Sequence, residues 1–153
     1  MYYMNIDYFM IEAINQAKNA FNNQEVPVGG ILVDINTNEI IAKSYNRVNK
    51  EKNAIYHCEI DLIINACKKL SRKYLNNTAM FVTLEPCLMC ASAISEVHID
   101  KLYFGAYDEK NGAIEKEKIL LKRKHIFKTE IYGGIMEKDC KSLLEKFFIK
   151  LRK

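Results

Sequence analysis

Long apolar runs are missing from this 153-residue chain, and none approaches the length of a membrane span. The start, "MYYMNIDYF", lacks the basic stretch and apolar core of a signal peptide, so no export is expected. Repeats and low-complexity linkers are also lacking, which leaves no internal boundary and predicts one domain over 1–153. Tryptophan is absent and there are only two prolines and six glycines. Cysteine is sparse: five residues, an odd number, do not make a disulfide framework and suit a reducing cytoplasm. Cys87 and Cys90 are therefore free to act as thiolates. Excess charge is small as well. A net charge of +4 is compatible with an RNA partner without demanding one. Two basic clusters stand out, "LKRKH" at 121–125 and "KLRK" at the end of the chain.

What is present reads as alternating helices and strands. Phe9, Ala13, Ile14, Ala17, Ala20 and Phe21 recur at helical spacing and predict a first helix over about 7–22. "EVPVGG" breaks that pattern, and "ILVDI" and "EIIAKSY" around "NTN" predict a hairpin. A loop with Asn46, Arg47 and Asn53 leads to a second helix, "HCEIDLIINACKKL". "AMFVTL" predicts a strand, "PCLMCASAISEV" a third helix from Pro86, and "KLYFGAY" a further strand. "TEIYGGI" predicts a short strand, and Leu143, Leu144, Phe147, Phe148 and Leu151 the inner face of a last helix. That order predicts an α/β fold with helices on both faces of a mixed sheet of about five strands, parallel through its middle.

Three metal-ligand types and a carboxylate stand at two helix starts. Cys87 and Cys90, at i and i+3, share a helix face, and the positive end of the helix favours thiolate. His57 is a third candidate ligand. Three protein ligands leave a fourth position for water, the catalytic rather than the structural pattern. Zinc would lower the pKa of that water to roughly 7. Glu59, two residues from His57, points to another side of the helix and suits a proton shuttle better than a ligand. Three other readings are open at this point. A structural zinc site would take its fourth ligand from Cys58, Cys67, Cys140, His98 or His125. A redox Cys-x-x-Cys lacks a thioredoxin-like setting. The third is a chance grouping of core cysteines. His-x-Glu together with Pro-Cys-x-x-Cys at two helix starts favours an open, catalytic zinc site over these.

With "HCE" and "PCLMC" in place, the chain resembles the cytidine-deaminase-like superfamily, whose fold is three-layer α/β/α. "EVPVGGILV", "TLEPCLMCASAI", "FGAYDEKNGA" and "GGIMEKDCKSLLEKFF" extend the resemblance almost end to end, to the bacterial tRNA-specific adenosine deaminases. The resemblance implies one zinc ion per subunit on His57, Cys87 and Cys90, with Glu59 as acid and base. It implies a substrate contact from Asn46, a pocket wall at Val28 and Gly29, and Asp108 near the RNA backbone. It also implies a cytoplasmic homodimer acting on the tRNA anticodon stem-loop, turning wobble adenosine into inosine. Cys58 stands where alanine is usual, and Tyr56 is bulkier than the residues common before the histidine. The competing expectations are a deaminase of a free base or nucleoside, of guanine or cytosine type, and a non-catalytic RNA-binding module with structural zinc.

Overall fold

In a computed structural model, residues 3–115 and 126–153 are described, so the basic cluster at 121–125 and His125 lie outside the described residues. Helix α1 (Ile6–Asn22) begins where Asn5 accepts a hydrogen bond from the Tyr8 amide at 3.0 Å. Its predicted face is buried, with Phe9, Ala13, Ile14, Ala17 and Ala20 turned inward. Strands β1 (Gly29–Asp34) and β2 (Ile40–Tyr45) form the antiparallel hairpin. Helix α2 (Cys58–Leu70), β3 (Thr78–Leu84), α3 (Leu88–Glu96), β4 (Lys101–Ala106), β5 (Glu130–Tyr132) and α4 (Glu137–Leu151) follow.

The sheet order is β2-β1-β3-β4-β5. β3, β4 and β5 run parallel, with α3 crossing between the first two, and β1 joins β3 antiparallel. Because side chains alternate along a strand, the central strands feed two cores. Leu32, Met80, Val82, Leu102 and Phe104 pack toward α2 and α3. Ile31, Val33, Ala79, Phe81 and Tyr103 pack toward α1 and α4. Both faces of these strands are covered, which explains why their sequences read as continuous apolar runs rather than alternating ones.

Element ends near the candidate site differ from expectation. The second and third helices start one and two residues later than the sequence pattern suggests. His57 and Cys87 are extended N-cap residues, with ψ of 154° and 174°. Gly29 and Gly30 belong to β1, which therefore starts two residues before the predicted "ILVDI" run. On α4, Phe147 is buried against Phe21, with ring centroids 5.9 Å apart, while Phe148 stays exposed. Lys150, within the basic chain end, lies 5.5 Å from the Phe21 ring.

Gly29 marks the closest approach of α1 to the sheet. A Cβ there would collide with the backbone of Ala17 and Ala13, which a helix cannot move aside. Gly29→Ala is therefore expected to lower unfolding stability by about 3 kcal/mol, the upper end of ordinary overpacking costs, measured by urea denaturation. An unchanged midpoint and slope would contradict this packing.

Candidate metal centre and pocket

Both N-cap side chains at this end of the sheet are free of the usual capping duty. Neither His57 nor Cys87 makes a side-chain cap hydrogen bond, so both can turn toward a common point. Cys90, in the first turn of α3, is buried. The His57 Nδ1 lies 3.7 Å from Cys87 Sγ and 3.6 Å from Cys90 Sγ. All three donor atoms fall within 4.8 Å of one another, and among the described residues they are the one such grouping. Tetrahedral zinc, with Zn–S near 2.3 Å and Zn–N near 2.0–2.1 Å, would set nitrogen and sulfur about 3.5 Å apart. The donor set and its spacing fit the ion.

The other residues weighed as a fourth ligand are engaged elsewhere. Cys58 is buried and points to the Ser44 carbonyl at 3.5 Å. Cys140 is buried beneath β4, against Gly105. The His98 ring is stacked between Tyr74 and Phe127. Cys67 sits toward the far end of α2 from His57.

Glu59 lies in the first turn of α2 with only 4% of its surface exposed. Burial raises its pKa, against the lowering influence of its backbone, the Cys90 thiol and His57. A raised carboxyl pKa suits a group that both takes and returns a proton. The thiols behave as a pair sharing one negative charge. A hydrogen bond from the Cys90 thiol, helped by His57, lowers Cys87 to about 4. The adjacent thiolate and burial push Cys90 the other way. His57 is raised, chiefly by its hydrogen bond to Cys87.

The residues predicted for a substrate pocket are held by local hydrogen bonds. The Asn46 amide donates to the Val28 carbonyl at 2.9 Å, and the Gly29 amide donates to Thr83 Oγ1 at 3.1 Å. The Val28 carbonyl and the Gly29 amide are thus occupied. The Asn46 side chain makes only long contacts, 3.5 Å to the Val26 carbonyl and 3.4 Å from the Val48 amide. Its hydrogen-bonding capacity is largely available to a ligand. Asp108 closes a turn beyond β4, accepting from the Lys110 and Asn111 amides at 3.1 Å each.

Two buried carboxylates that sequence reasoning missed hold the surrounding loops. Glu85 accepts from the amides of Asp108, Ile114 and Glu115 at 3.0–3.1 Å, tying the Asp108 turn to the Cys87 turn. A Cβ at Gly112 would strike that carboxylate and the Asp108 carbonyl, both at 2.5 Å. Glu25 accepts from the Asn49 and Lys50 amides at 2.9 Å each, holding the loop beyond Asn46. The available signal was position: Glu85 directly precedes Pro86-Cys87, and Glu25 directly precedes "VPVGG".

Because the adjacent thiolate and burial keep Cys90 protonated and a metal takes it as thiolate, ion uptake should release a proton. Zinc affinity is expected to fall as pH falls, by about tenfold per pH unit for each proton displaced. Calorimetric titration in buffers of different ionisation enthalpy measures that proton count. Uptake without proton release would contradict the shared-charge description.

Residues 4–106 match the family described as the cytidine and deoxycytidylate deaminase zinc-binding region, a span containing His57, Glu59, Cys87 and Cys90. The chain is 44% identical over 144 residues to a tRNA-specific adenosine deaminase of Rickettsia bellii, covering 94% of this chain and 99% of that protein. It is also similar to a solved structure from studies of A-to-I editing by tRNA:A34 deaminases. There the TM-score is 0.84 at 36% identity, over 90% of this chain and 99% of that one. A Bacillus subtilis guanine deaminase structure is less similar, with a TM-score of 0.64 at 28% identity, over 68% of this chain and 66% of that one. A converging imidazole and two thiolates beside a buried carboxylate, on a five-stranded mixed sheet, agree with those likenesses: the chain belongs to the cytidine and deoxycytidylate deaminase zinc-binding family and, within it, to the tRNA-specific adenosine deaminases.

Proposed function

We propose that this protein is a zinc-dependent hydrolase that converts adenosine to inosine at the wobble position of a tRNA anticodon. The observation that carries the proposal is the union of a three-donor centre with the buried Glu59, on a chain 44% identical to a tRNA-specific adenosine deaminase. His57, Cys87 and Cys90 would hold one zinc ion per subunit, which supplies a water with a pKa lowered to roughly 7. Glu59 accepts the proton of that attacking water and delivers it to N1 of the purine. It later takes the proton of the hydroxyl added at C6 and delivers it to the departing amine, so that the C6–N bond breaks, ammonia leaves and the carbonyl of inosine remains. Asn46 hydrogen-bonds the nucleoside, and Val28 and Gly29 line the base. The Asp108 turn, held by Glu85, lies beside the RNA backbone. A base must leave its stack to reach a buried centre, which favours an anticodon loop over a duplex.

The assembly we propose is a homodimer in the cytoplasm. Ile55 and Leu88, next to the His57 and Cys87 turns, are apolar and 56% and 52% exposed, a surface that a second copy would cover. The five cysteines of the chain are free thiols, in keeping with a reducing compartment. Among the described residues, no helix is long and apolar enough to cross a membrane. The likeness to a guanine deaminase supports a second reading, hydrolysis of a free base.

Ammonia release from an anticodon stem-loop, compared with adenosine, guanine and cytosine alone, separates the two readings. Turnover confined to the stem-loop is expected; turnover of a free base with none on the stem-loop would overturn the proposal. Glu59→Gln should retain zinc yet lose at least about 10²–10⁴ in rate, as loss of a proton shuttle implies. Cys87→Ala and Cys90→Ala should lose metal and activity together. Full zinc content in both cysteine variants, or near-normal turnover by Glu59→Gln, would contradict the assigned roles.

A further inference from the structure

One buried carboxylate takes no part in the chemistry above. Asp61 lies in the first turn of α2 and is 4% exposed, among Cys58 and Leu62 of the core. An apolar side chain would serve the core at this position, because a buried charge is costly unless it gathers partners. Asp61 gathers three. Ser44 Oγ donates to Oδ2 at 2.5 Å, and the Tyr56 hydroxyl donates to Oδ1 at 3.1 Å. The Arg47 guanidinium stands 3.9 Å from Oδ2 and lies 4.5 Å from the centroid of the Tyr45 ring.

These partners come from the two ends of one segment. Ser44 is in β2, two residues before Asn46, and Tyr56 immediately precedes His57. Between them the chain passes through Asn46 and Arg47, leaves the sheet and returns. The Arg47 amide donates to the Tyr56 carbonyl at 3.4 Å, closing the segment onto itself. Asp61 also anchors through its own backbone, its amide donating to the His57 carbonyl at 3.2 Å. Asn46, whose side chain is otherwise held by long contacts only, thus has its position set by bonds on either side of it.

We infer that Asp61 is a positioning residue for substrate recognition: its carboxylate clasps Ser44, Arg47 and Tyr56, and so holds Asn46 and the Tyr56 ring at the rim of the pocket. The inference rests on the proposed deamination of a stem-loop adenosine for its consequence, and on the protein alone for its geometry. Tyr56, the bulky residue before the metal-site histidine, is then a fixed wall and not a swinging one. Without the clasp the rim segment loosens, and the nucleoside binds less well, while the metal donors and Glu59 stay in place.

The test uses zinc-loaded wild type, Asp61→Asn, Tyr56→Phe and the double variant, with two readouts. Hydrogen exchange of amides 46–56, followed by mass spectrometry without RNA, should accelerate severalfold in Asp61→Asn and less in Tyr56→Phe. KM for the stem-loop should rise by about tenfold in Asp61→Asn, as loss of hydrogen bonds to a buried charge implies, with kcat and zinc content within about twofold. Tyr56→Phe should raise KM less, and adding it to Asp61→Asn should add almost nothing, because the two share one interaction. Unaccelerated exchange in both single variants would overturn the clasp, whatever the RNA kinetics. Accelerated exchange with an unchanged KM, or a fall in kcat at constant KM, would overturn its role in recognition. Tyr56→Phe removes one rim hydroxyl and no core group, so it carries the test even if Asp61→Asn folds poorly. A wild type that leaves the stem-loop unmodified would instead refute the proposed activity, while the exchange data would still judge the clasp.

Discussion

The structure turns on the approach of two helix N-termini at one end of the sheet. His57 caps α2 and Cys87 caps α3, and their side chains face each other instead of the helix amides. The imidazole nitrogen and both sulfurs come within a metal's reach only because the strands before them end together. β1 starts where β3 ends, with the Gly29 amide bonded to Thr83, and β2 ends beside Gly29 in register with Tyr45. Parallel β3 and β4 then bring the Asp108 turn to the same end. Carboxyl ends of strands are where α/β sheets place ligands, and here a helix start adds a field that favours thiolate.

A centre of this kind needs stiff surroundings, because a small displacement of a donor or of Glu59 would separate metal from proton shuttle. The stiffness comes from carboxylates. Glu85 binds three amides of the Asp108 loop, Glu25 binds two amides beyond Asn46, and Asp61 binds Ser44 and Tyr56 across the rim. Each is buried, and each fixes a loop that has no regular ladder of its own. Glu59 differs in that burial raises its pKa, in keeping with the proton-exchanging role proposed for it.

Much of this was legible from residue order. Helical spacing of Phe9, Ala13, Ala17 and Ala20 marks α1, and the alternation of strands and helices implies the mixed sheet that the chain adopts. His57, Glu59, Cys87 and Cys90 are singled out by spacing alone, and the fold brings all four together. The exact helix starts were less legible, since N-cap residues are extended yet adjoin a helical pattern. Gly29 and Gly30 looked like punctuation, but their lack of side chains lets α1 and α2 pack onto β1. The clasps were barely legible, marked only by the positions of Glu85 before Pro86-Cys87 and of Glu25 before "VPVGG". A glutamate before a proline or within a loop reads as solvated until its partners, 23 to 30 residues away in the case of Glu85, are folded against it.

The central claim is an open three-ligand centre made by one imidazole and two thiolates. Zinc-edge X-ray absorption on the loaded wild-type protein tests it most directly. The account predicts two sulfur ligands near 2.3 Å and two lighter nitrogen or oxygen ligands near 2.0–2.1 Å. Three or four sulfur ligands would contradict it, since they would recruit Cys58, Cys67 or Cys140 and leave a closed, structural site.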